Sequence, residues 1–317
     1  MNKRTELPPP LVDTNLPWLG PKYTGKVRDV YSRGAEKLLI ATDRLSAFDR
    51  VLTTVPLKGQ VLTRLANFWF AKIDGVVPHH VVATPDPNVV VARSLEILPI
   101  EVVVRGYLVG GAWRDYQAGR AVSGVTFPEG LREFDKLPAA TITPSTKEAL
   151  GGHDTPISER DIVSRGLAAP EVWEQVRNYA LTLFELGTKE VAQRGLILVD
   201  TKYEFGLVDG KVVLADEIHT LDSSRFWIRE SYDATRSHGE PPQMLDKEPV
   251  RRWLSAQGFM GEGEAPTITD TERGEWMNHY LSSYTLITGE SADWNTEDPT
   301  ARIERNLRDY FEIHDKN

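Results

Sequence analysis

The chain has 317 residues, of which 40% are apolar and 26% charged, with a net charge of −9 and no cysteine. That length and balance describe a globular protein of two lobes or one large domain. The missing cysteine excludes disulfides, thiolate zinc sites and a cysteine nucleophile, and the acidic balance argues against nucleic acid or an anionic membrane as partner.

In chain order, Met1–Pro10 ends in three prolines and has no apolar signal region, so an extended lead-in is expected. No apolar run is long enough to suggest a membrane span. Gly25-Lys26-Val27-Arg28 follows. On a strand leaving a turn, Lys26 and Arg28 point the same way, and Gly25 lets an anion approach the backbone. The pattern also fits an ordinary surface strand carrying two cations. Neither G-x-x-x-x-G-K-[ST] nor G-x-G-x-x-G is present. Lys37–Ala41 reads as a strand, and Asp43–Asp49, with Ser46 inside it, as a turn with aspartate caps. Val61, Leu62, Leu65, Phe68 and Trp69 fall at helical spacing, closed by Gly75. His79 and His80 are adjacent and do not converge on one ion from a strand, so a structural role is expected. Val89–Ala92 and Glu101–Val104 read as strands. A boundary near residues 100–106 divides a β-rich lobe, 1–104, from a mixed lobe, 105–317.

Arg105 ends the second of these strands before a glycine-rich turn, Gly106 to Gly111. A short helix over 112–118 is expected to stop at Gly119. Residues 123–156 are rich in Pro, Gly, Thr and Ser, which means a functional loop or hidden short strands. Lys147 and the run Gly151–Asp154 lie within it, either closing over a substrate or simply solvated. Pro170–Arg194 reads as a helix stopped by Gly195.

The densest chemistry comes next. An apolar strand, Gly195–Val199, runs into Asp200-Thr201-Lys202-Tyr203-Glu204, and alternation puts Asp200, Lys202 and Glu204 on one face. Asp209-Gly210 signals a hairpin. A two-residue loop would set Glu204 opposite Ala215 and turn Asp216 away. A three-residue loop, or a bulge, would set Glu204 opposite Asp216, and this is the geometry expected. Paired carboxylates suit Mg²⁺, which takes one or two of them plus substrate phosphates. The alternative is a solvated acidic face balanced by a lysine. Arg225 then follows a strand beside Ser223 and Ser224. Each of Arg105 and Arg225 reads as an anion clamp or as a structural ion pair. A loop from Trp227 to Leu245 precedes two helices, one capped by Thr269-Asp270, the other started by Asp298-Pro299 with Ile303, Leu307 and Tyr310 on one face.

In this order, Gly25–Tyr31, Asp43–Asp49, Glu101–Trp113, Asp200–Gly206 and Asp216–Trp227 resemble the SAICAR synthetase family, the phosphoribosylaminoimidazole-succinocarboxamide synthases, over residues 20 to 230. The helical tail resembles the longer form of the family. The resemblance implies an α+β two-lobe fold related to ATP-grasp enzymes. It implies a ligase of purine biosynthesis that joins L-aspartate to the carboxylate of carboxyaminoimidazole ribotide (CAIR). ATP is consumed with Mg²⁺ through an acyl phosphate, giving SAICAR, ADP and phosphate. By the same resemblance, Gly25, Lys26, Val27 and Arg28 hold ATP phosphates, and residues near Arg93 to Ile97 pass the adenine. Glu204 and Asp216 bind Mg²⁺ with the nucleotide. Lys202 faces the reacting groups, Asp200 orients them, and Arg105, Gly111 and Arg225 meet the CAIR phosphate. Ser46, Asp49, Lys147 and Asp154 close over substrate. A cytoplasmic protein with small-molecule partners is implied; its oligomeric state stays open, a monomer being the default. The family commonly has Gly-Ser where this chain has Gly110-Gly111, so another donor must replace the missing hydroxyl. Two other readings stand beside this one: an acyl-phosphate ligase acting on a different carboxylate, and a nucleotide-binding relative without catalysis.

Overall fold

A computed structural model of the chain describes residues 6–147 and 154–314. The chain begins with β1 (Lys22–Thr24), β2 (Arg28–Arg33), β3 (Glu36–Ala41), β4 (Arg44–Ala47), β5 (Arg50–Thr54), α1 (Lys58–Ile73), β6 (Val81–Asp86) and β7 (Val89–Arg93). It continues with β8 (Glu96–Tyr107), α2 (Gly111–Gln117), β9 (Lys136–Ile142), β10 (Ser145–Thr146), β11 (Thr155–Pro156), α3 (Glu159–Ser164) and α4 (Pro170–Ala192). β12 (Leu196–Val208), β13 (Lys211–Ala215), β14 (Ser224–Ile228), α5 (Arg229–Thr235), α6 (Glu248–Ala256), α7 (Asp270–Thr288) and α8 (Pro299–His314) complete it.

Two compact units result. One holds residues 1–68, 81–94 and 247–317; the other holds 69–80 and 95–246. This differs from the expected division at residue 104. The strand read as Glu101–Val104 is the middle of β8, which starts at Glu96 and belongs wholly to the second unit. The helical tail, expected in the second lobe, belongs to the first.

The first unit is built on an antiparallel sheet of order β1-β2-β3-β7-β6, with β4 and β5 as a separate hairpin. Leu38 and Ile40 alternate inward from β3 and meet Val89 and Val91 of β7. Ile303, Leu307 and Phe311, spaced by four along α8, bury against the same cluster. That placement is locked by charge. The buried Arg302 guanidinium donates to both Asp86 oxygens, at 3.0 and 3.3 Å, and to Asn88 Oδ1 at 2.5 Å. An amphipathic stripe says that a helix packs, not on what; the Arg302–Asp86 pair decides it. α7 starts as the sequence implied, with Glu272 accepting the Thr269 N–H at 2.9 Å and the Thr269 hydroxyl accepting from Thr271 N at 3.2 Å.

The second unit is an antiparallel sheet whose path runs β11-β10-β8-β12-β13, with β14 also on β12 and β9 also on β8. Residues 123–156 thus carry hidden short strands β9 to β11. The segment read as loop after Trp227 contains α5. β12 is the central strand and carries the site. Its apolar half, Leu196 to Val199, is buried, and Ile197 and Val199 pack with Tyr107, Phe134, Trp227 and Tyr232. The first-unit and second-unit cores give the mixed α/β, two-lobe architecture expected. No helix among the described residues is long and apolar enough to cross a membrane.

Candidate active site

β12 sets three polar residues on one face at successive levels of the sheet. Asp200 lies opposite Arg105 of β8 on one side and Arg225 of β14 on the other. Lys202 lies opposite Val103, and Glu204 opposite Glu101. Each level has its own charge problem and its own solution.

At the Asp200 level the carboxylate is buried, and one of its oxygens accepts from Arg105 Nη1 at 3.0 Å and Arg225 Nη1 at 2.5 Å. Arg105 Nε donates to Thr143 Oγ1 at 2.8 Å, and Arg225 Nε lies 3.8 Å from Asp246. Burial pulls the Arg105 guanidinium below its usual pKa; Asp200 counters this, and neighbouring Arg225 adds to it. The expected ion pairs and the expected clamp are therefore the same residues. Beside them runs the turn before α2. Gly110 has φ 63°, and a Cβ there would lie 3.0 Å from Arg225 Nη2. A Cβ on Gly111 would meet only Arg114 Nη2, at 3.8 Å.

At the Glu204 level two carboxylates face each other across adjacent strands, which is unfavourable unless cations intervene. Lys202 takes Glu101 at 2.6 Å and Lys147 takes Glu204 at 2.5 Å. Burial lowers the Lys202 pKa, but the charge and hydrogen bond of Glu101, with Asp154 and Glu217, outweigh it and leave it raised. Lys202 is a fixed cation. Glu101, Lys202 and Glu204 line one pocket with Asp216, Glu217, Asp222 and Ser223. Its cavity, about 70 Å³, has space for about five waters. That leaves room for a hydrated ion beside substrate oxygens.

The hairpin does not have the expected three-residue loop. Val208 pairs with Lys211 and Glu204 with Ala215 across a two-residue loop, Asp209 (φ 51°) and Gly210 (φ 71°). Both residues are left-handed, as the turn matching strand twist requires. Asp216 reaches the pocket by another route. It follows the end of β13 with φ 61°, which breaks strand alternation and re-aims the chain, so Asp216 and Glu204 line the same cavity. The segment that follows is pinned from beneath. His219, fully buried and also left-handed at φ 48°, meets Tyr203 Oη at 2.5 Å and sets its ring edge-on to Trp69. Burial pushes its pKa down to about 3, so it stays a neutral anchor. His80 Nε2 lies 3.2 Å from the Asp216 carbonyl. Both histidines of the His79-His80 pair are structural neighbours of Phe70.

In the first unit, Gly25 to Arg28 form a closed turn between β1 and β2, with Gly25 N donating to Arg28 O at 2.8 Å. Lys26 sits on the turn rather than on a strand beside Arg28, so the alternation expected for the pair does not apply. Arg44 braces the turn by donating to the Gly25 and Lys26 carbonyls, and Lys26 Nζ reaches Asp49 at 2.5 Å. Asp49 and Phe48 form the tip of the β4–β5 hairpin; both have positive φ, 61° and 51°. Ser46 is half-buried on β4, and Arg93 is exposed at the end of β7; Ile97, in the second unit, is exposed on β8. Gly151, Gly152 and His153 lie outside the described residues.

Glu101, Glu217, Asp222 and Ser223 were not singled out from sequence. Glu101 was legible: it sits four residues before Arg105 on one strand, hence on the same face. The other three follow a left-handed residue, where period-two reasoning has no purchase. Among the described residues no group of three His, Asp or Glu side chains is gathered as a complete metal cage. Two carboxylates in an acid-rich pocket are nonetheless the donor set that suits Mg²⁺ alongside substrate oxygens.

The site is thus an acid-rich pocket and an arginine pair on one strand face of a two-lobe mixed α/β protein. A family model described as SAICAR synthetase matches residues 21–267. The phosphoribosylaminoimidazole-succinocarboxamide synthase of Legionella pneumophila (strain Paris) is 46% identical over 288 residues, covering 89% of this chain and 91% of that protein. The synthase of the same name from Bacteroides thetaiotaomicron is 44% identical over 305 residues, covering 94% and 97%. Among solved structures, the SAICAR synthase of Saccharomyces cerevisiae complexed with SAICAR has a TM-score of 0.79 at 29% identity, covering 89% of this chain and 99% of that one. The chain belongs to the SAICAR synthetase family.

Proposed function

We propose that this ligase joins L-aspartate to the carboxylate of CAIR with ATP, through an acyl phosphate, giving SAICAR, ADP and phosphate in the cytoplasm. The observation that carries the reading is the convergence of Lys202, Glu204 and Asp216 on one pocket, on the same β12 face as the Arg105–Asp200–Arg225 pairs. The yeast relative's structure holds SAICAR, in keeping with this substrate class.

A carboxylate does not react with an amine at neutral pH, whereas an acyl phosphate does, because phosphate is a good leaving group. Glu204 and Asp216 would hold Mg²⁺, whose chemistry is to neutralise charge on phosphoryl oxygens. Lys202, kept cationic by Glu101, stabilises the negative charge that spreads over the transferring phosphoryl group. Arg105 and Arg225 hold the ribotide phosphate through donors not spent on Asp200, since each guanidinium carries five. Asp200 fixes the orientation of both. In the first unit, Lys26 and Arg28 are the proposed holders of ATP phosphates. Mass-spectrometric detection of SAICAR, with ATP, CAIR and aspartate each omitted in turn, tests the reading. Product from all three and from no pair is expected; ATP hydrolysis without SAICAR would reject it.

A further inference from the structure

The turn from Gly25 to Arg28 has its peptide planes set from one side. Arg44 is buried, and its guanidinium donates to the carbonyls of Gly25 at 3.0 Å, Lys26 at 3.2 Å and Val12 at 2.8 Å. The next carbonyl, that of Val27, accepts from Thr42 N at 3.0 Å and Thr42 Oγ1 at 2.8 Å. The Arg28 carbonyl accepts from Gly25 N at 2.8 Å. All four carbonyls of the turn are thus engaged within the first unit. A Cβ on Gly25 would lie 3.2 Å from Arg28 O, so glycine suits this closure.

Arg44 is itself anchored. Its Nη2 also donates to Asp29 Oδ1 at 2.8 Å, and the other Asp29 oxygen accepts from Thr14 N and Thr14 Oγ1, both at 2.8 Å. Lys22 Nζ lies 3.0 Å from that oxygen. Burial alone would raise the Asp29 pKa, but the donors of Arg44, Thr14 and Lys22 outweigh it and leave it lowered. The fork of a guanidinium reaches two successive carbonyls and a carboxylate together; a lysine ammonium is a point charge and does not.

The consequence follows from peptide geometry. A trans peptide points its N–H opposite its C=O. With the Gly25 and Lys26 carbonyls both turned to Arg44, the N–H groups of Lys26 and Val27 both face away from it. No partner among the described residues holds either N–H. Successive N–H groups aimed one way make a concavity for an anion. We propose that Arg44 is a positioning residue for the nucleotide: it holds two peptide planes from behind and so presents the Lys26 and Val27 N–H groups to an ATP phosphate. This rests on the reading that ATP phosphates meet this turn. A flip of either peptide would set a carbonyl against the anion in place of a donor.

The test measures ADP and adenosine as inhibitors competing with ATP, on the whole enzyme with Mg²⁺, CAIR and aspartate. Arg44→Lys should raise the KM for ATP and the inhibition constant of ADP by about 10- to 100-fold, the equivalent of one hydrogen bond to a charged group. The inhibition constant of adenosine and the KM for CAIR should stay at wild-type values. Equal weakening of ADP and adenosine would show that Arg44 holds the unit rather than the turn, and would overturn the proposal. So would an unaltered constant for ADP. Amide hydrogen exchange of the wild type needs no variant to fold: ADP should slow exchange at Lys26 and Val27, and adenosine should not. Exchange unchanged by ADP at both amides would also overturn the proposal. Lys26→Ala keeps the backbone N–H and removes the ammonium. If ATP responds to Lys26→Ala but not to Arg44→Lys, the phosphates do meet the turn and the role of Arg44 alone is rejected. If ATP responds to neither, the phosphates bind elsewhere, a separate failure.

Discussion

The two ends of one strand face behave oppositely. At Asp200 two guanidiniums meet the carboxylates of Asp200 and Asp246, and formal charge balances. Four residues along β12, roughly 13 Å at strand rise, five acids, Glu101, Glu204, Asp216, Glu217 and Asp222, line one pocket with Lys202, and Lys147 pairs with Glu204. The first end is satisfied within the protein and, on the proposed reading, would take an anion by sharing donors. The second carries excess negative charge and gains from a cation. A substrate with a phosphate at one end and a reactive carboxylate at the other would be read by both.

The contrast breaks most severely if the acid-rich end does not use its charge. Glu204→Gln and Asp216→Asn should each lower Mg²⁺-dependent turnover by about 10³-fold, the several kcal/mol a bound metal supplies to transition-state charge. The thermal midpoint should hardly move. Near-normal turnover at ordinary Mg²⁺ would remove the metal assignment.

The balanced end makes the reverse prediction. Asp200→Asn should cost about 3 kcal/mol of stability, because it leaves two half-buried guanidiniums facing each other. Inorganic phosphate should then raise the Tm of the variant more than that of the wild type. A variant as stable as wild type, indifferent to phosphate, would mean that Asp200 is not what holds the arginines together.

Asp43, in the first unit, shows a buried acid for which burial outweighs its backbone donors and the charge of Lys58. It accepts N–H groups from Leu11 and Gly59, both at 2.8 Å, yet burial outweighs them and raises its pKa to about 6. A folded-state pKa above the unfolded value means stability that is full below about pH 4 and lost as pH rises through about 6. The shift of about two units corresponds to roughly 3 kcal/mol. Asp43→Asn should flatten that part of the stability curve relative to wild type, read by urea unfolding at pH 4 and pH 7. Parallel curves would show that Asp43 does not titrate in this window.

Arginine geometry is a finer test of the balanced end. Arg105→Lys and Arg225→Lys keep the charge but lose the planar fork that serves Asp200 and a phosphate together. Each should raise the CAIR requirement by about 10- to 100-fold, the equivalent of one charged hydrogen bond, and the ATP requirement by much less. If ATP is the ligand affected, the clamp serves the nucleotide.

How much of this was legible depends on whether alternation held. From Asp200 to Glu204 it holds, so the strand and the shared face could be read from period two, but not the partners of Asp200, Arg105 on β8 and Arg225 on β14. It fails at Asp216, where a left-handed residue turns the chain. Aspartate tolerates that conformation, but nothing in Ala-Asp-Glu requires it. The expected three-residue loop was a route to the right pocket through the wrong turn: the loop is regular and the correction lies after the strand. The tail failed for a different reason. Its helices carry clear apolar stripes, but the partner surface is set by Arg302 and Asp86, 216 residues apart, and no local pattern links them.

The smallest expected effect separates two adjacent glycines. Gly110 is left-handed, and a side chain there would press on the Arg225 guanidinium at 3.0 Å. Gly111 has neither restriction: no positive φ, and only Arg114 Nη2 within reach of an added Cβ, at 3.8 Å. Gly110→Ser should therefore cost at least about 1 kcal/mol of stability and weaken CAIR binding by displacing Arg225. Gly111→Ser should leave stability within about 0.5 kcal/mol of wild type. It should strengthen CAIR binding by at most one charged hydrogen bond, roughly 1.5–3 kcal/mol. Thermal melts and CAIR titrations of the two variants decide it. If Gly111→Ser instead weakens CAIR, the space over Gly111 is already used by the ligand, and Arg114, exposed beside it, is the donor that stands where a hydroxyl would.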